Sequence, residues 1–450
     1  MHLLEWNGHH VALDCGLFQG RRAEAREKNV TYPCPPRDMT AVILSHAHID
    51  HSGKLPRLVR DGFEGPIFAT PATRDLAEVM LADSAHIQFE DAAYFNKKRA
   101  RAGEAPIEPL YTVEDAERAV RQMRAVPYEQ PFEAAPGVVA QFHDAGHLLG
   151  SAGVRLELSG NGSSRTVVYT GDVGRFHMPI LRDPAPLPAC DYLITESTYG
   201  GRRTGEPADL KMKLAKILNE TFDRGGKVIV PAFAVGRTQS LVYSFHQLVE
   251  EGALHTRAPL FIDSPLAVNT TAVFARHPEC YDSEARTFNA ANGGMLHCDR
   301  CHYVASLEES KALHARRGPL MVLSASGMCE TGRILHHLKN NCEDPKNTIL
   351  IVGFQAAHTL GRRIVEKAKQ IKIFGELYRV RARVEVINGF SSHADADELR
   401  HMLAPLAGPC RHAFVVHGEY DQSAALQQWM QQAGFSAASI PEAGERIELD

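Results

Sequence analysis

Short runs of apolar residues recur along the first 200 residues, and each run ends in polar or small residues. HVALD, AVIL, TVVYTG and DYLITE are runs of this kind, and their length is typical of strands. Polar stretches of helical length lie between some of them, for example LADSAHIQFEDAAYFNKKRARAGE, which predicts a helix followed by a loop. The pattern predicts an α/β protein in which polar residues gather where strands end.

The pattern changes between residues 199 and 384. KVIVPAF, PLFID, PLMVLSA and TILIVGF are nearly continuous apolar runs that alternate with helical stretches. Strands buried on both faces of a parallel sheet have this composition. We therefore predict a small doubly wound α/β domain over 199–384, inserted into a discontinuous first domain formed by 1–198 and 385–450.

Composition agrees with a globular protein of two domains. The chain has 450 residues, and chains of this length usually fold into more than one domain. Its 44% hydrophobic and 23% charged residues are typical of globular proteins. It has no apolar run of about 18 residues and no signal-peptide pattern at its start, so we expect a cytoplasmic protein. Nine cysteines without a disulfide-like rhythm predict a reducing compartment.

The net charge of −5 is divided unevenly along the chain. Residues 199–384 contain 26 Lys and Arg against 18 Asp and Glu, whereas the remainder contains 23 against 36. A basic domain beside an acidic one would favour a phosphodiester substrate, because the cations attract a polyanion. Uneven solubilising charge explains the same counts, so charge alone leaves the substrate open.

Four potential metal ligands stand together after the run AVIL, namely His46, His48, Asp50 and His51. In an extended chain, side chains at i and i+2 point the same way, so the first two can bind one metal. The other two fall at the start of a short helical pattern and can face a second metal. Imidazole and carboxylate groups are ligands of zinc. Surface histidines beside a helix are the alternative, but four ligands at this spacing rarely arise by chance.

Further candidate ligands follow apolar runs elsewhere in the chain. They are Asp14 in VALDCG, His147 in DAGHLLGS, Asp172 after TVVYTG and His417 in AFVVHGE. Loops at the ends of buried strands commonly carry chemistry. Any one of these residues alone would more often be structural, but together with the first cluster they predict one site.

Taken together, these motifs resemble the metallo-β-lactamase fold and, within it, the β-CASP branch of nucleic-acid-processing hydrolases. HAHIDH is similar to the signature of that fold, and LDCG, AGHLLGS and TGD are similar to its other metal motifs. PAFAVGRTQ, FIDSPLA, SASGMCETGR and GFQAAHTLGR resemble bacterial and archaeal relatives of the endonuclease that cleaves pre-mRNA before polyadenylation. The resemblance implies an αββα sandwich with an inserted doubly wound β-CASP domain.

The resemblance also implies a zinc-dependent ribonuclease of RNA processing or decay, with two Zn²⁺ per chain. Carried over motif by motif, one zinc would be held by His46, His48 and His147, the other by Asp50, His51 and His417, with Asp172 bridging. A hydroxide bridging the metals would hydrolyse the phosphodiester, and Asp14 would orient a ligand histidine. RNA-directed members carry histidine at the position of His417, whereas DNA-repair relatives tend to carry valine.

Two more β-CASP motifs contain Glu196 in ITESTYG and His393 in GFSSHAD. The resemblance places them in contact at a cleft between the domains. There His393 would donate a proton to the leaving oxygen or bind a phosphate oxygen. We count both as catalytic, together with Asp50, and a purely structural pair between domains is the alternative.

Small residues after strands of the insert predict contacts with RNA phosphates. Such turns let backbone NH groups approach phosphate oxygens, and arginines add bidentate contacts. The candidates are Arg237, Ser324, Ser326, Gly327, Arg333 and Arg362. Turns of this kind also exist only to pack the chain. His358 stands where relatives commonly have glycine.

Single-stranded RNA is therefore the expected partner, with no membrane, and a homodimer is left open. The alternatives are a hydrolase of the same fold that acts on another ester, a thioester or DNA, and an inactive RNA-binding protein. The first would not explain the basic insert. The second type loses metal ligands, and here the set is complete.

Two smaller features carry expectations of their own. Residues 298–302, CDRCH, formally match a haem-attachment pattern, but we interpret Cys298 and Cys301 as reduced cysteines. An accessory metal bound with His297 or His302 is the alternative. Relatives begin about 15 residues before the point that matches the start of this chain, so we expect an open sheet edge beside HVALD, which would invite pairing or aggregation.

Overall fold

The computed structural model describes residues 1–18, 27–160, 162–205, 210–353, 355–356, 358–387, 389 and 391–449. The chain divides into two compact units. The first unit contains Met1–Phe176, Asp183–Arg203 and His393–Asp450, and the second contains His177–Arg182 and Thr204–Ser392.

The described strands are β1 (His2–Trp6), β2 (His9–Leu13), β3 (Ala41–Ile43), β4 (Ile67–Ala69), β5 (Met123–Ala125), β6 (Phe132–Ala135), β7 (Val138–Asp144), β8 (Ala152–Gly160), β9 (Ser163–Tyr169), β10 (Tyr192–Glu196), β11 (Lys227–Pro231), β12 (Leu260–Ile262), β13 (Cys301–Tyr303), β14 (Leu320–Ser324), β15 (Thr348–Ile351), β16 (Gln370–Ile373), β17 (Glu376–Arg379), β18 (Arg383–Val386), β19 (His412–Val416) and β20 (Ala438–Ser439).

The described α-helices are α1 (Ile49–Ser52), α2 (Leu55–Arg60), α3 (Pro71–Ala102), α4 (Val113–Arg121), α5 (Leu210–Asp223), α6 (Arg237–Glu250), α7 (Pro265–Arg276), α8 (Ser283–Ala291), α9 (Leu307–Ala315), α10 (Ile334–Asn341), α11 (Leu360–Val365), α12 (Ala396–Leu403) and α13 (Tyr420–Gln432). Short 3₁₀ turns are formed by Pro36–Asp38, Pro278–Cys280 and Ala404–Leu406.

Two sheets form the centre of the first unit. One has the strand order β1-β2-β3-β4-β5, and the other has the order β20-β19-β10-β9-β8-β7-β6. Val11 and Ile43 of the first sheet and Phe142 and Leu156 of the second belong to one fully buried apolar cluster. Helix α3 packs on β5 and α4, and Leu426 of α13 is buried against the β10–β19 side of the second sheet. Helices on the outside of two sheets give the predicted αββα sandwich.

The expectation of an open edge beside HVALD is wrong. Strand β2 pairs with β1 in antiparallel register and with β3 in parallel register. Asn7 and Gly8 connect β1 to β2 and have φ values of 49° and 78°. Asn-Gly is the preferred pair for a two-residue hairpin turn, so the first residues of this chain close their own hairpin.

Local sequence explains where the long helix α3 begins and ends. The side chain of Thr70 accepts a hydrogen bond from the backbone N of Thr73, and Pro71 occupies the first turn. Gly103 ends the helix with φ of 72°. A threonine cap, a first-turn proline and a left-handed glycine are the residues that helix ends favour.

The second unit contains a six-stranded sheet with the order β13-β12-β14-β11-β15-β18. All of its strand pairs are parallel. Ile229, Val322 and Ile351 of its central strands are buried together with residues of α10 and α11. Near-continuous apolar runs therefore did correspond to parallel strands. A separate two-stranded hairpin is formed by β16 and β17.

The prediction that Cys298 and Cys301 are reduced is wrong. Cys298 and Cys301 form a disulfide, whereas the other seven cysteines are free. Cys298 lies just before a turn and Cys301 is the first residue of β13, three positions later, so the chain brings their sulfurs together locally. In the described part of the chain, no helix has both the length and the apolar character that crossing a membrane would require.

Candidate metal centre

The predicted metal-site residues lie just beyond the carboxyl ends of strands in the first unit. Asp14 follows β2, His46 follows β3, Asp172 follows β9 and His417 follows β19. Strands β2 and β3 are parallel, as are β9, β10 and β19. Parallel strands present their carboxyl ends at one edge of a sheet, and this edge is where ligands bind in α/β proteins. The fold thus collects residues from distant parts of the sequence.

One group of ligand atoms comes from His46, His48, His147 and Asp172. His46 Nε2 lies 3.1 Å from His48 Nδ1, and His147 Nε2 lies 3.3 Å from the same atom. Asp172 Oδ2 lies 3.5 Å from His46 Nε2 and 3.6 Å from His147 Nε2. All four atoms lie within 4.8 Å of one another. Three imidazole nitrogens and one carboxylate oxygen therefore face a common point.

A second group comes from Asp50, His51 and His417. His51 Nε2 lies 3.2 Å from His417 Nε2, and Asp50 Oδ2 lies 3.5 Å from that same His417 atom. The second oxygen of Asp172, Oδ1, lies 3.3 Å from His51 Nε2. Asp172 thus directs one carboxylate oxygen to each group. His417 has φ of 51°, a backbone conformation that non-glycine residues adopt mainly where the surrounding structure requires it.

These donor atoms fit zinc. Zinc–nitrogen distances of about 2.0–2.1 Å place tetrahedral ligands about 3.3 Å apart, which matches the 3.1–3.3 Å between the imidazole nitrogens. Asp172 Oδ1 is buried and accepts no hydrogen bond from the described residues. A buried carboxylate oxygen without a donor is costly unless a cation is near. Geometry, donor type and this unsatisfied oxygen agree on a metal centre.

Asp14 contacts His51, a member of the second ligand group, on the ring nitrogen that faces away from the metal position. Its carboxylate accepts hydrogen bonds from the backbone N of Ser45 at 2.7 Å, the Ser45 hydroxyl at 2.7 Å and the Tyr169 hydroxyl at 2.6 Å. His51 Nδ1 lies 2.6 Å from Asp14 Oδ2. This contact leaves Nε2 of His51 directed at the metal position. Ser45 and Tyr169 were missed from the sequence, and the only available signal was that each stands beside a predicted motif at a strand end.

Burial and charge set the protonation of the site. Burial lowers the pKa of His48 to about 4 and lowers the pKa of His46 well below its ordinary value. Neutral imidazoles are the form that binds metal. Asp172 raises the pKa of His417 to about 9. Burial by itself would raise the pKa of Asp172, but His417 and His51 lower it well below its usual range.

The structure brings Glu196 and His393 together within the first unit. His393 Nδ1 lies 3.3 Å from Glu196 Oε1 and 4.0 Å from Asp172 Oδ2. Glu196 is held in place by the backbone N–H groups of Val173 and Thr198, at 2.6 and 3.2 Å. Burial opposes protonation of His393, but the Glu196 carboxylate outweighs it, so the pKa of His393 is raised.

Two of the residues predicted to contact RNA form hydrogen bonds within the second unit. Ser324 is buried, and its hydroxyl donates to the backbone O of Asp263 at 2.9 Å. Arg333 donates to the Asp263 carboxylate at 2.7 Å and to the backbone O of Ala305 at 2.9 Å. Both residues therefore contribute to the framework of the unit.

The remaining phosphate candidates differ in their surroundings. A Cβ on Gly327 would lie 2.9 Å from a ring carbon of Phe233, so packing explains this glycine. Arg362 is exposed and pairs with Glu366 at 2.7 Å. The Arg237 guanidinium lies 5.2 Å from the centre of the Phe233 ring.

Ser326 and His358 lie in two of the predicted turns. The Ser326 hydroxyl accepts hydrogen bonds from the backbone N of Glu330 and of Thr331. His358, at the position where relatives carry glycine, has φ of 69°. RNA contacts stay predictions for all six candidates: Arg237, Ser324, Ser326, Gly327, Arg333 and Arg362.

Comparison with known families covers most of the chain. Residues 9–217 match a beta-lactamase superfamily domain, and residues 238–364 match a Beta-Casp domain. Residues 377–441 match a Zn-dependent metallo-hydrolase RNA specificity domain. The three matches follow one another along the chain.

Whole proteins with similar sequences decide the family. Ribonuclease TTHA0252 of Thermus thermophilus is 36% identical over 448 residues, which are 100% of this chain and 96% of that protein. The chain belongs to the β-CASP family of metallo-β-lactamase-fold RNA nucleases. This β-CASP chain is also similar to the transcription termination factors FttA of Methanosarcina mazei, at 31% identity over 91% of the chain, and of Pyrococcus abyssi, at 32% over 85%. It spans 63% and 57% of the lengths of those two proteins.

Proposed function

We propose that this chain is a ribonuclease that hydrolyses phosphodiester bonds of single-stranded RNA with two zinc ions. One zinc would be held by His46, His48 and His147 and the other by Asp50, His51 and His417, with one oxygen of Asp172 directed at each group. The observation that carries the proposal is the position of Asp172, whose two oxygens lie 3.5 and 3.3 Å from ring nitrogens of the two separate ligand groups.

The protein's own residues prepare the site for zinc. Bound zinc lowers the pKa of water toward neutrality and stabilises charge on phosphate oxygens. Asp14 accepts the Nδ1 proton of His51, which fixes the tautomer and directs Nε2 to the metal. Asp50 and His417 have partly exposed side chains, whereas those of His46 and His147 are buried. The substrate phosphate would therefore reach the centre from the side of Asp50 and His417.

His393 is the proposed proton donor to the leaving oxygen. Its Nδ1 faces Glu196, whose carboxylate favours the protonated ring and leaves Nε2 to give up a proton. Glu196 is almost fully buried, while the His393 side chain is 22% exposed. The carboxylate is thus fixed, and the ring that it holds can reach substrate.

A ribonuclease is favoured over the other hydrolases of this fold. The similar ribonuclease of Thermus thermophilus aligns with nearly its whole length, whereas the termination factors are longer proteins of which this chain covers only part. The complete ligand set also argues against an inactive RNA-binding protein. Two expectations stay predictions: a cytoplasmic location, and a homodimer that light scattering on the purified protein would reveal.

The test uses purified protein loaded with zinc. End-labelled single-stranded RNA with a free or a blocked 5′ end, single-stranded DNA, a β-lactam and a thioester are offered in parallel. We expect RNA to be cut, DNA to be cut more slowly, and cleavage to stop when a chelator removes zinc. Rapid hydrolysis of the β-lactam or thioester with intact RNA would overturn the proposal. Comparison of the RNA that has a free 5′ end with the RNA that has a blocked 5′ end shows whether cleavage starts internally or at that terminus.

A further inference from the structure

The second unit carries a strongly basic segment outside the metal ligands. Residues 362–383 contain eight Lys and Arg but only two Glu. The segment includes the hairpin of β16 and β17, in which Lys372 pairs with Leu377 and Gln370 pairs with Arg379. Among the described strands this hairpin forms a two-stranded sheet of its own.

Both acidic residues of the segment form ion pairs with single cations. Glu366 pairs with Arg362 at 2.7 Å, and Glu376 pairs with Lys339 at 3.3 Å. Arg383 pairs with Glu220 and Glu385. The other six cations form no ion pair with any carboxylate in the described part of the chain: Arg363, Lys367, Lys369, Lys372, Arg379 and Arg381. The segment therefore presents a concentrated and unneutralised positive charge.

The hairpin has one face in the core and one face in water. Ile371 and Ile373 are buried. Side chains alternate along a strand, so Lys372 and Arg379 lie on the opposite face, and both are exposed. Phe374 and Leu377 are also exposed, by 55% and 65%. The outer face thus carries Leu377 and two cations, and the exposed Phe374 ring lies in the turn at the end of the hairpin.

Phe374 is exposed and adopts an unfavourable backbone conformation. It occupies the two-residue turn with φ of 51°, beside Gly375 with φ of 89°. Asn, Asp or Gly normally occupies such a position, and a bulky residue there is uncommon. The ring of His336 lies 4.7 Å from the Phe374 ring, so it supports one side of the aromatic group. Strain of this kind is often kept where it serves a function.

We propose that this hairpin is a second RNA-binding surface, on which a base stacks on Phe374 at the turn while Lys372 and Arg379 of the outer face contact phosphates farther along the RNA. Proteins bind single-stranded nucleic acid by this combination of aromatic stacking and cations. The ligand's identity rests on the proposed ribonuclease function. Self-association through this face would place the same unneutralised cations against each other, because a two-fold interface uses one patch twice.

The experiment measures binding separately from cleavage. Chelator-treated protein is titrated into a fluorescein-labelled 20-nucleotide uridine RNA, and anisotropy gives Kd over a range of salt concentrations. Phe374→Asn is the main variant, since asparagine tolerates the turn conformation better and should not lower Tm. Leu307→Ala and Lys216→Ala are controls, because both residues are exposed on helices of the same unit, α9 and α5.

Phe374→Asn is expected to weaken binding about 5-fold to 150-fold, the range for loss of one stacked base. Lys372→Ala with Arg379→Ala should lower the slope of log Kd against log salt by about 1.4, or about 0.7 per lost charge. Both controls should bind like the wild type.

The outcomes separate the two proposals. If wild-type protein neither binds nor cuts RNA, the ribonuclease proposal fails. If it does both, but Phe374→Asn and the double variant bind RNA like the controls, only the hairpin surface is refuted. A change in oligomeric mass with unchanged RNA binding would also refute it and would identify the face as a protein interface.

Discussion

Replacing Asp14 with asparagine would show how far the metal centre depends on one buried carboxylate. Asp14 is 2% exposed and accepts hydrogen bonds from Ser45 and Tyr169 besides its contact with His51. Its φ is 60°, a conformation that asparagine tolerates, so the exchange adds no backbone strain. It replaces a charged acceptor with a neutral amide that faces several donors.

The expected cost follows from those donors. The Ser45 and Tyr169 hydroxyls and His51 all lie within 2.7 Å of Asp14 Oδ2. Leaving one buried donor unsatisfied costs about 1–3 kcal/mol, so we expect about 2–5 kcal/mol lower free energy of unfolding for Asp14→Asn. Zinc affinity of the His51 group should fall about 10- to 100-fold, as when the support of a ligand histidine is lost.

Urea unfolding of metal-free protein and zinc competition against a chelator measure the two effects. Tyr169→Phe is the matched control, because it removes one donor and leaves the carboxylate. It should cost about 1.5–3 kcal/mol, the value of a hydrogen bond to a charged group, with a smaller change in zinc affinity. Equal loss of both zinc ions in Asp14→Asn, or unchanged affinity for both, would refute this reasoning.

Three further predictions concern catalysis, acid stability and packing. His393→Ala should slow RNA cleavage about 100-fold or more with zinc content unchanged, and zinc analysis beside a cleavage assay would expose a structural role if metal is lost. Burial would raise the pKa of Asp14, but His51 and Tyr169 lower it below 3.8; the stability from this group is therefore present above about pH 4 and lost as pH falls further. Acid unfolding should show this loss in the wild type and lack it in Asp14→Asn. Phe142→Ala should cost about 3–5 kcal/mol in urea unfolding, since the ring is fully buried between the sheets.

The sequence predicted those parts of the site that depend on local spacing. His46 and His48 stand close together in the chain, and apolar runs mark the strands that precede Asp172 and His417. The contact of Glu196 with His393 was expected only from the resemblance, because 197 positions separate the two residues. Tyr169 was missed because a hydroxyl at a strand end has no pattern that indicates its partner.

Other contacts could not be predicted from the sequence because the partners lie far apart in the chain. Arg333 donates a hydrogen bond to Asp263, which is 70 positions away. Ser324 is the last residue of β14 and is itself buried. Asn7 and Gly8 are residues that favour a two-residue hairpin turn, so the sequence itself indicates that β1 pairs with the edge of β2.

The most direct test of two-zinc RNA hydrolysis is a zinc titration of metal-free protein, with bound zinc and RNA cleavage measured on the same samples. We expect RNA cleavage by the wild type to rise with the second equivalent of zinc. His417→Ala should bind only the first equivalent tightly and remain poorly active. Full RNA cleavage without zinc, or no RNA cleavage with two zinc ions bound, would contradict the account.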